Sequence, residues 1–238
     1  MNKVLILDFG SQLTQLIARR VRELEIYCEI QPYHTPVPLD KSISAIILSG
    51  SPCSVRDKNH PEVDLSSLTS HYPVLGICYG AQLMAHQLGG SVKASDKREY
   101  GRAQFHVTEA DAFLETLPLD SQVWMSHSDT IDGLPSDYKV IGRTESIPIA
   151  AFKKQSSEFP LYGVQFHPEV VHTLFGKQIL ENFLKKICKI ESNWTTQSFI
   201  DESIVAIKNT VGQDQVLLAL SGGVDSSVAA LLMKKAIG

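Results

Sequence analysis

The run Pro73-Val74-Leu75-Gly76-Ile77-Cys78-Tyr79-Gly80 constrains this chain more than any other. Apolar residues lead into G-x-C-x-G, the nucleophile-elbow spacing with Cys in the place of Ser. The pattern predicts a buried strand that turns sharply into a helix, with a thiol at the corner. Glycines two before and two after give the turn room and lift the sulfur clear of the backbone. At a helix N-terminus the dipole favours thiolate, the reactive form. Acyl-transfer chemistry is the expectation, and it needs a base.

The candidate base is in Gly163-Val164-Gln165-Phe166-His167-Pro168-Glu169. Pro168 disfavours helical geometry at His167 and predicts an extended backbone there. In extended chain, residues two apart share a face, so Glu169 can fix the tautomer of His167 and leave its other ring nitrogen to a nucleophile. Cys78, His167 and Glu169 are then the parts of a triad. Taken singly, each has a blander reading: a packed thiol, a structural histidine, a turn cap. Their joint occurrence favours the triad.

Length and charge narrow the rest. At 238 residues the chain suits one or two domains, and 43% hydrophobic residues allow a large core. The net charge of −4, with no basic tract, makes nucleic acid and anionic membrane poor partners. No apolar run reaches the roughly 18 residues a bilayer span needs, and the apolar N-terminal run is too short for a signal peptide. Cys28, Cys53, Cys78 and Cys188 show neither C-x-x-C nor close pairing, and the histidines show no metal-ligand spacing. A reduced, cytoplasmic protein with one functional thiol is expected.

Apolar strands at 3–7, 27–30, 45–48 and 74–77 alternate with helices over 13–24 and from the elbow to about Leu88, where Gly89-Gly90 stops the helix. That alternation predicts an α/β fold around an open, mainly parallel sheet. Short strands follow at 101–107, 122–125, 139–143, 149–153 and 161–166, and a helix over 176–189 closes the unit. Residues 193–196 read as a linker and Ile200, Ile204, Ile207 and Val211 as one face of a further helix. The expected domains are 1–190 and 191–238.

The second unit carries its own motif. Apolar residues 216–220 predict a strand running into Ser221-Gly222-Gly223-Val224-Asp225-Ser226-Ser227 and then a helix. Glycines and hydroxyls at such a turn expose backbone N–H groups that can cradle a phosphate, and Asp225 suits magnesium. No Gly-Lys-Ser/Thr follows, so it is not a Walker A loop. A nucleotide domain is not expected to be completed before residue 238.

Together, Leu5-Ile6-Leu7-Asp8-Phe9-Gly10-Ser11-Gln12, the elbow with Ala81-Gln82, and the His167 segment resemble a class I glutamine amidotransferase. The 221–227 loop resembles that of the N-type ATP pyrophosphatases, and this order of domains is similar to the family of glutamine-hydrolysing GMP synthases. The resemblance implies that Cys78 attacks the glutamine side-chain amide while His167, held by Glu169, passes a proton to ammonia. It implies oxyanion donors at the Tyr79 N–H and the N–H of Gly50 or Ser51, and substrate contacts from Gln82, Ser126 and His127. For the whole enzyme it implies ATP at Ser221, Gly222, Gly223, Val224, Asp225, Ser226 and Ser227, with Mg2+ as a further cofactor. It further implies XMP as acceptor and a homodimer formed through a C-terminal domain; the glutaminase half needs no cofactor. This chain alone is expected to hydrolyse glutamine weakly and not to make GMP.

Two positions depart from the family pattern. Ser51 and Ser128 stand where Ser-Gly-Gly-Pro and Ser-His-Gly-Asp carry glycine. If the backbone needs positive φ at Ser51, serine costs what glycine would not. Three rivals stay open. A Cys-dependent α/β-hydrolase shares the elbow but places its acid before the histidine; a non-catalytic module and another ATP-loop amidotransferase are the others.

Overall fold

The structure, a computed structural model, describes residues 2–192 and 194–238, with the backbone alone at 96–99. Its chain divides into two compact units, Met1–Asn193 and Trp194–Gly238. Of the expected linker, Asn193 lies outside the described residues.

In the first unit the apolar runs fold as β1 (Lys3–Asp8), β2 (Cys28–Pro32), β3 (Ile43–Leu48) and β4 (Val74–Ile77). Helices α1 (Thr14–Arg22), α2 (Leu65–Thr69) and α3 (Tyr79–Gln87) alternate with them. The remaining strands are β5 (Ser91–Val107), β6 (Asp120–Gly133), β7 (Tyr138–Thr144), β8 (Ala151–Lys154) and β9 (Leu161–Val164). Helix α4 (Gly176–Glu181) then continues as a π-helical segment, Asn182–Ile187.

These strands form one nine-stranded sheet in the order β2-β1-β3-β4-β9-β8-β7-β5-β6. β2, β1, β3, β4 and β9 run parallel, and the pairs from β9 through β8, β7 and β5 to β6 are antiparallel. Strand β4 is buried throughout, as its unbroken apolar run demands. Helix α3 is buried from Tyr79 to Ala85 and has no solvent stripe in its first two turns. Ile17, Ala18 and Val21 turn the amphipathic face of α1 onto the sheet.

Strand order, not distance along the chain, brings the site together. β3, β4 and β9 are adjacent and parallel, with Leu48 beside Gly76 and Ile77 beside Val164. Their C-terminal ends therefore deliver Ser49-Gly50-Ser51, Cys78 and His167 to one edge of the sheet. Open α/β sheets bind ligands at that edge.

Several expectations are corrected. Ser126, His127, Ser128 and Asp129 lie within β6, beyond the end of the strand expected at 122–125. β5 and β6 pair far beyond the short strands predicted; the residues that β6 adds include His127, Asp129 and Thr130, buried polar side chains that carry no hydrophobic alternation to read. In the second unit, α5 (Thr196–Val211) and α6 (Val224–Ile237) form, but residues 216–220 are not a strand. Among the described residues no strand pairs with this apolar run, and Leu217 is fully exposed. Helix α5 begins at a capping box between Thr195 and Ser198 and ends at Gly212, whose φ is +57°.

Gly80 is where α3 crosses β3 most closely: a Cβ there would lie 2.5 Å from the Leu48 carbonyl oxygen. Backbone cannot step aside as a flexible side chain would. Gly80→Ala is expected to destabilise the first unit by about 1–3 kcal/mol, the range for overpacking, read as a lower urea midpoint at unchanged slope.

Candidate active site

Cys78 sits at the junction of β4 and α3 with φ +52° and ψ −104°. This is left-handed territory that a residue with a Cβ adopts only under constraint, and strain of this kind clusters at functional sites. The constraint is visible: the Cys78 N–H donates to the Val164 carbonyl (2.8 Å), and the Gln82 N–H donates to the Cys78 carbonyl (3.0 Å). A Cβ at Gly76 would meet the Ala81 nitrogen at 2.7 Å, so the elbow closes only over glycine. The thiol lies 3.6 Å from the Ser126 carbonyl oxygen.

His167 follows β9 by three residues. His167 itself lies outside any helix or strand, and Pro168 and Glu169 after it form a turn. The turn still brings the two side chains together, with His167 Nδ1 2.7 Å from Glu169 Oε1, both buried. Its backbone is pinned on both sides. The His167 N–H donates to the Trp124 carbonyl (3.0 Å) and the Thr173 hydroxyl donates to the His167 carbonyl (2.6 Å). Arg20 of α1 donates to the Glu169 carbonyl at 3.0 Å. Gly176 completes the turn, because a Cβ there would collide with the Pro168 carbonyl.

Burial by itself would pull the His167 pKa down. The charges of Cys78 and Glu169 and hydrogen bonds to both outweigh it and hold the pKa well above the ordinary histidine value. His167 is thus favoured in its protonated form, in which a histidine can give up a proton to a departing group. With Glu169 on Nδ1, the other ring nitrogen is left for that exchange.

Cys78, His167, Gly50, Ser51, Gln82, Ser126 and His127 all line one cavity of about 520 Å3. Tyr79 contributes from its backbone: as the first residue of α3, its N–H has no intrahelical acceptor. Gly50 is close enough to the base that a Cβ would lie 3.3 Å from His167 Cε1. Neither Ser51 nor Ser128 has a positive φ, so serine in place of the family's glycine carries no backbone penalty at either position. The 221–227 loop belongs to the second unit and is described apart from this cavity.

Sequence reasoning missed the support under Gln82 and the 51–57 loop. Asp129, buried on β6, accepts from Arg56 Nη2 (3.0 Å) and from the Ser54 hydroxyl, while its carbonyl accepts from Gln82 Nε2 (2.9 Å). These partners lie far apart in sequence. The only signal was the position of Asp129 just after Ser126 and His127.

His127 is buried against the same wall, and neither ring nitrogen has a hydrogen-bond partner. Burial first, and the charge of His167 second, lower its pKa from 6.5 to about 4. A depressed histidine contributes stability above its unfolded pKa and loses it as pH falls towards the folded value. Relative to His127→Gln, the native chain is expected to lose up to about 3 kcal/mol between pH 6.5 and 4, measured by urea unfolding.

Comparison with known proteins agrees with this geometry. The family model for glutamine amidotransferase class-I matches residues 5–187. A Cytophaga hutchinsonii protein named GMP synthase [glutamine-hydrolyzing] is 53% identical over 238 residues, covering 99% of this chain and 46% of that protein. Its Thermosipho melanesiensis counterpart is 51% identical, covering 100% and 46%. The chain thus spans just under half the length of these relatives. The crystal structure of a Thermoplasma acidophilum protein, provisionally described as one subunit of GMP synthase, matches with a TM-score of 0.69. It is 28% identical, covering 85% of this chain and 98% of that one. With its elbow thiol and the fold around it, the chain belongs to the class I glutamine amidotransferase family.

Proposed function

We propose that this chain hydrolyses glutamine at Cys78 to release ammonia. The observation that carries the reading is the strained elbow thiol in one cavity with a buried imidazole 2.7 Å from Glu169. In this reading the Cys78 thiolate attacks the side-chain amide carbon. His167 gives its proton to the departing ammonia, and a γ-glutamyl thioester forms. His167 then takes a proton from water, which attacks the thioester; glutamate leaves and the thiolate returns. Each tetrahedral oxyanion is met by the Tyr79 N–H and by an N–H from Gly50 or Ser51. Gln82, Ser126 and His127 contact the substrate.

For the whole protein, we propose ATP-dependent amination of XMP to GMP in the cytoplasm by a homodimer. The names of the relatives support the reaction and four free cysteines the compartment, while the homodimer rests on the family resemblance alone. Among the described residues, no helix is long and apolar enough to cross a membrane. The 221–227 loop suits a phosphate in part: it is exposed at the N-terminus of α6, and Gly222 has φ +80°. Ser221 and Ser226, with hydroxyls 3.0 Å apart, and the free N–H groups of the first turn would hold it. Asp225 would face magnesium. ATP would there supply the adenylyl group that activates the acceptor.

The test is glutamate release from glutamine by the chain and by two variants. Wild type is expected to turn over, Cys78→Ala to fall to background, and Glu169→Gln to lose at least about tenfold in kcat with little change in KM. Equal rates for wild type and Cys78→Ala would refute the nucleophile.

A further inference from the structure

We propose that the Ser49 hydroxyl holds the peptide joining Gly50 and Ser51 in one orientation, so that the Ser51 N–H, not the Gly50 N–H, completes the oxyanion hole. The inference deepens the glutaminase reading and rests on it. Ser49 follows β3 directly, is fully buried, and does not line the cavity that Gly50 and Ser51 line.

All four of its polar groups are engaged. The Ser49 N–H donates to the Leu7 carbonyl and its carbonyl accepts from the Gly80 N–H, each at 3.1 Å. Its hydroxyl oxygen accepts from the Phe9 N–H at 3.0 Å and donates its one proton to the Gly50 carbonyl at 2.9 Å. The backbone bonds alone tie Ser49 to β1 and α3. What the hydroxyl adds is a grip on the next peptide.

No peptide bond among the described residues is cis, so each carbonyl points opposite to the following N–H. The Ser49 carbonyl is fixed on the first turn of α3, which turns the Gly50 N–H away from the helix that carries Cys78. The Gly50 carbonyl is fixed on the buried Ser49 hydroxyl, which turns the Ser51 N–H to the opposite side, that of the cavity. Gly50 has the conformational freedom to let this peptide rotate if it is released. A rotated peptide would aim its carbonyl oxygen at the developing oxyanion. Pro52 follows and offers no N–H in replacement.

Ser49 is therefore a positioning residue. Its removal should slow chemistry without weakening substrate binding or thiolate formation. The full chain and Ser49→Ala are compared in kcat and KM for glutamine and in the rate at which iodoacetamide, which develops no oxyanion, alkylates Cys78. Expected is a fall in kcat of about 10- to 100-fold, below the full loss of an oxyanion donor, with KM and alkylation within about twofold. A kcat within twofold of wild type, or alkylation falling in parallel with kcat, would overturn the proposal. Should Ser49→Ala not fold, Ser49→Cys, which keeps the volume with a weak donor, is judged by the same criteria. An inactive wild type indistinguishable from Cys78→Ala would instead sink the glutaminase reading, so the two failures separate.

Discussion

The parallel pairing of β4 with β9 is the constraint on which the rest depends. It aligns Ile77 with Val164 and carries one hydrogen bond past the end of the strands, from the Cys78 N–H to the Val164 carbonyl. That bond holds a residue with a Cβ at φ +52°, a conformation that costs about 1–3 kcal/mol. The cost is met by burial of Val74, Leu75 and Ile77 and by the close seating of α3, which glycine permits at 76 and 80. The same pairing aims the end of β9 so that three further residues reach His167. One register thus sets both the nucleophile and its base.

A buried imidazole beside a buried carboxylate is an expensive arrangement, since both charges leave water. Its backbone supports explain how it is kept. Thr173 accepts from the Trp124 N–H (3.0 Å) and donates to the His167 carbonyl, so one hydroxyl ties the turn to β6. Arg20 ties the Glu169 carbonyl to α1. Neither support touches the cavity's reacting groups, yet both fix the direction in which the imidazole faces. The pair is better explained by preorganisation for chemistry than by stability, for which an apolar pair of similar volume would serve.

What the sequence made legible is local. The elbow could be read because strand, glycines and thiol occupy eight consecutive residues, and His167 with Glu169 because they stand two apart. The geometry joining that second pair includes a turn at Pro168 and Glu169, across which the two side chains meet. Contacts between distant segments left no mark. Nothing in Arg56 or Ser54 announces Asp129, and nothing in Ser49 announces Phe9. Residues 216–220 show the opposite error. Their apolar pattern is that of a strand, but a strand also needs a neighbour to take its N–H and C=O groups, and pattern alone does not supply one.

Ser51 brings these levels together. Serine there raised the question of strain, because glycine would be required only if the backbone crossed into positive φ, and it does not. The orientation of the peptide is governed one residue earlier, by a carbonyl held 2.9 Å from a buried hydroxyl. A side chain at position 51 therefore leaves the N–H direction unchanged and is free to take up the Cys53 N–H on its own hydroxyl at 3.2 Å. Gly50 answers to a different demand, the 3.3 Å approach of an added Cβ to the imidazole. Two neighbouring positions in one loop thus obey different rules: space at 50, and the aim of a dipole at 51.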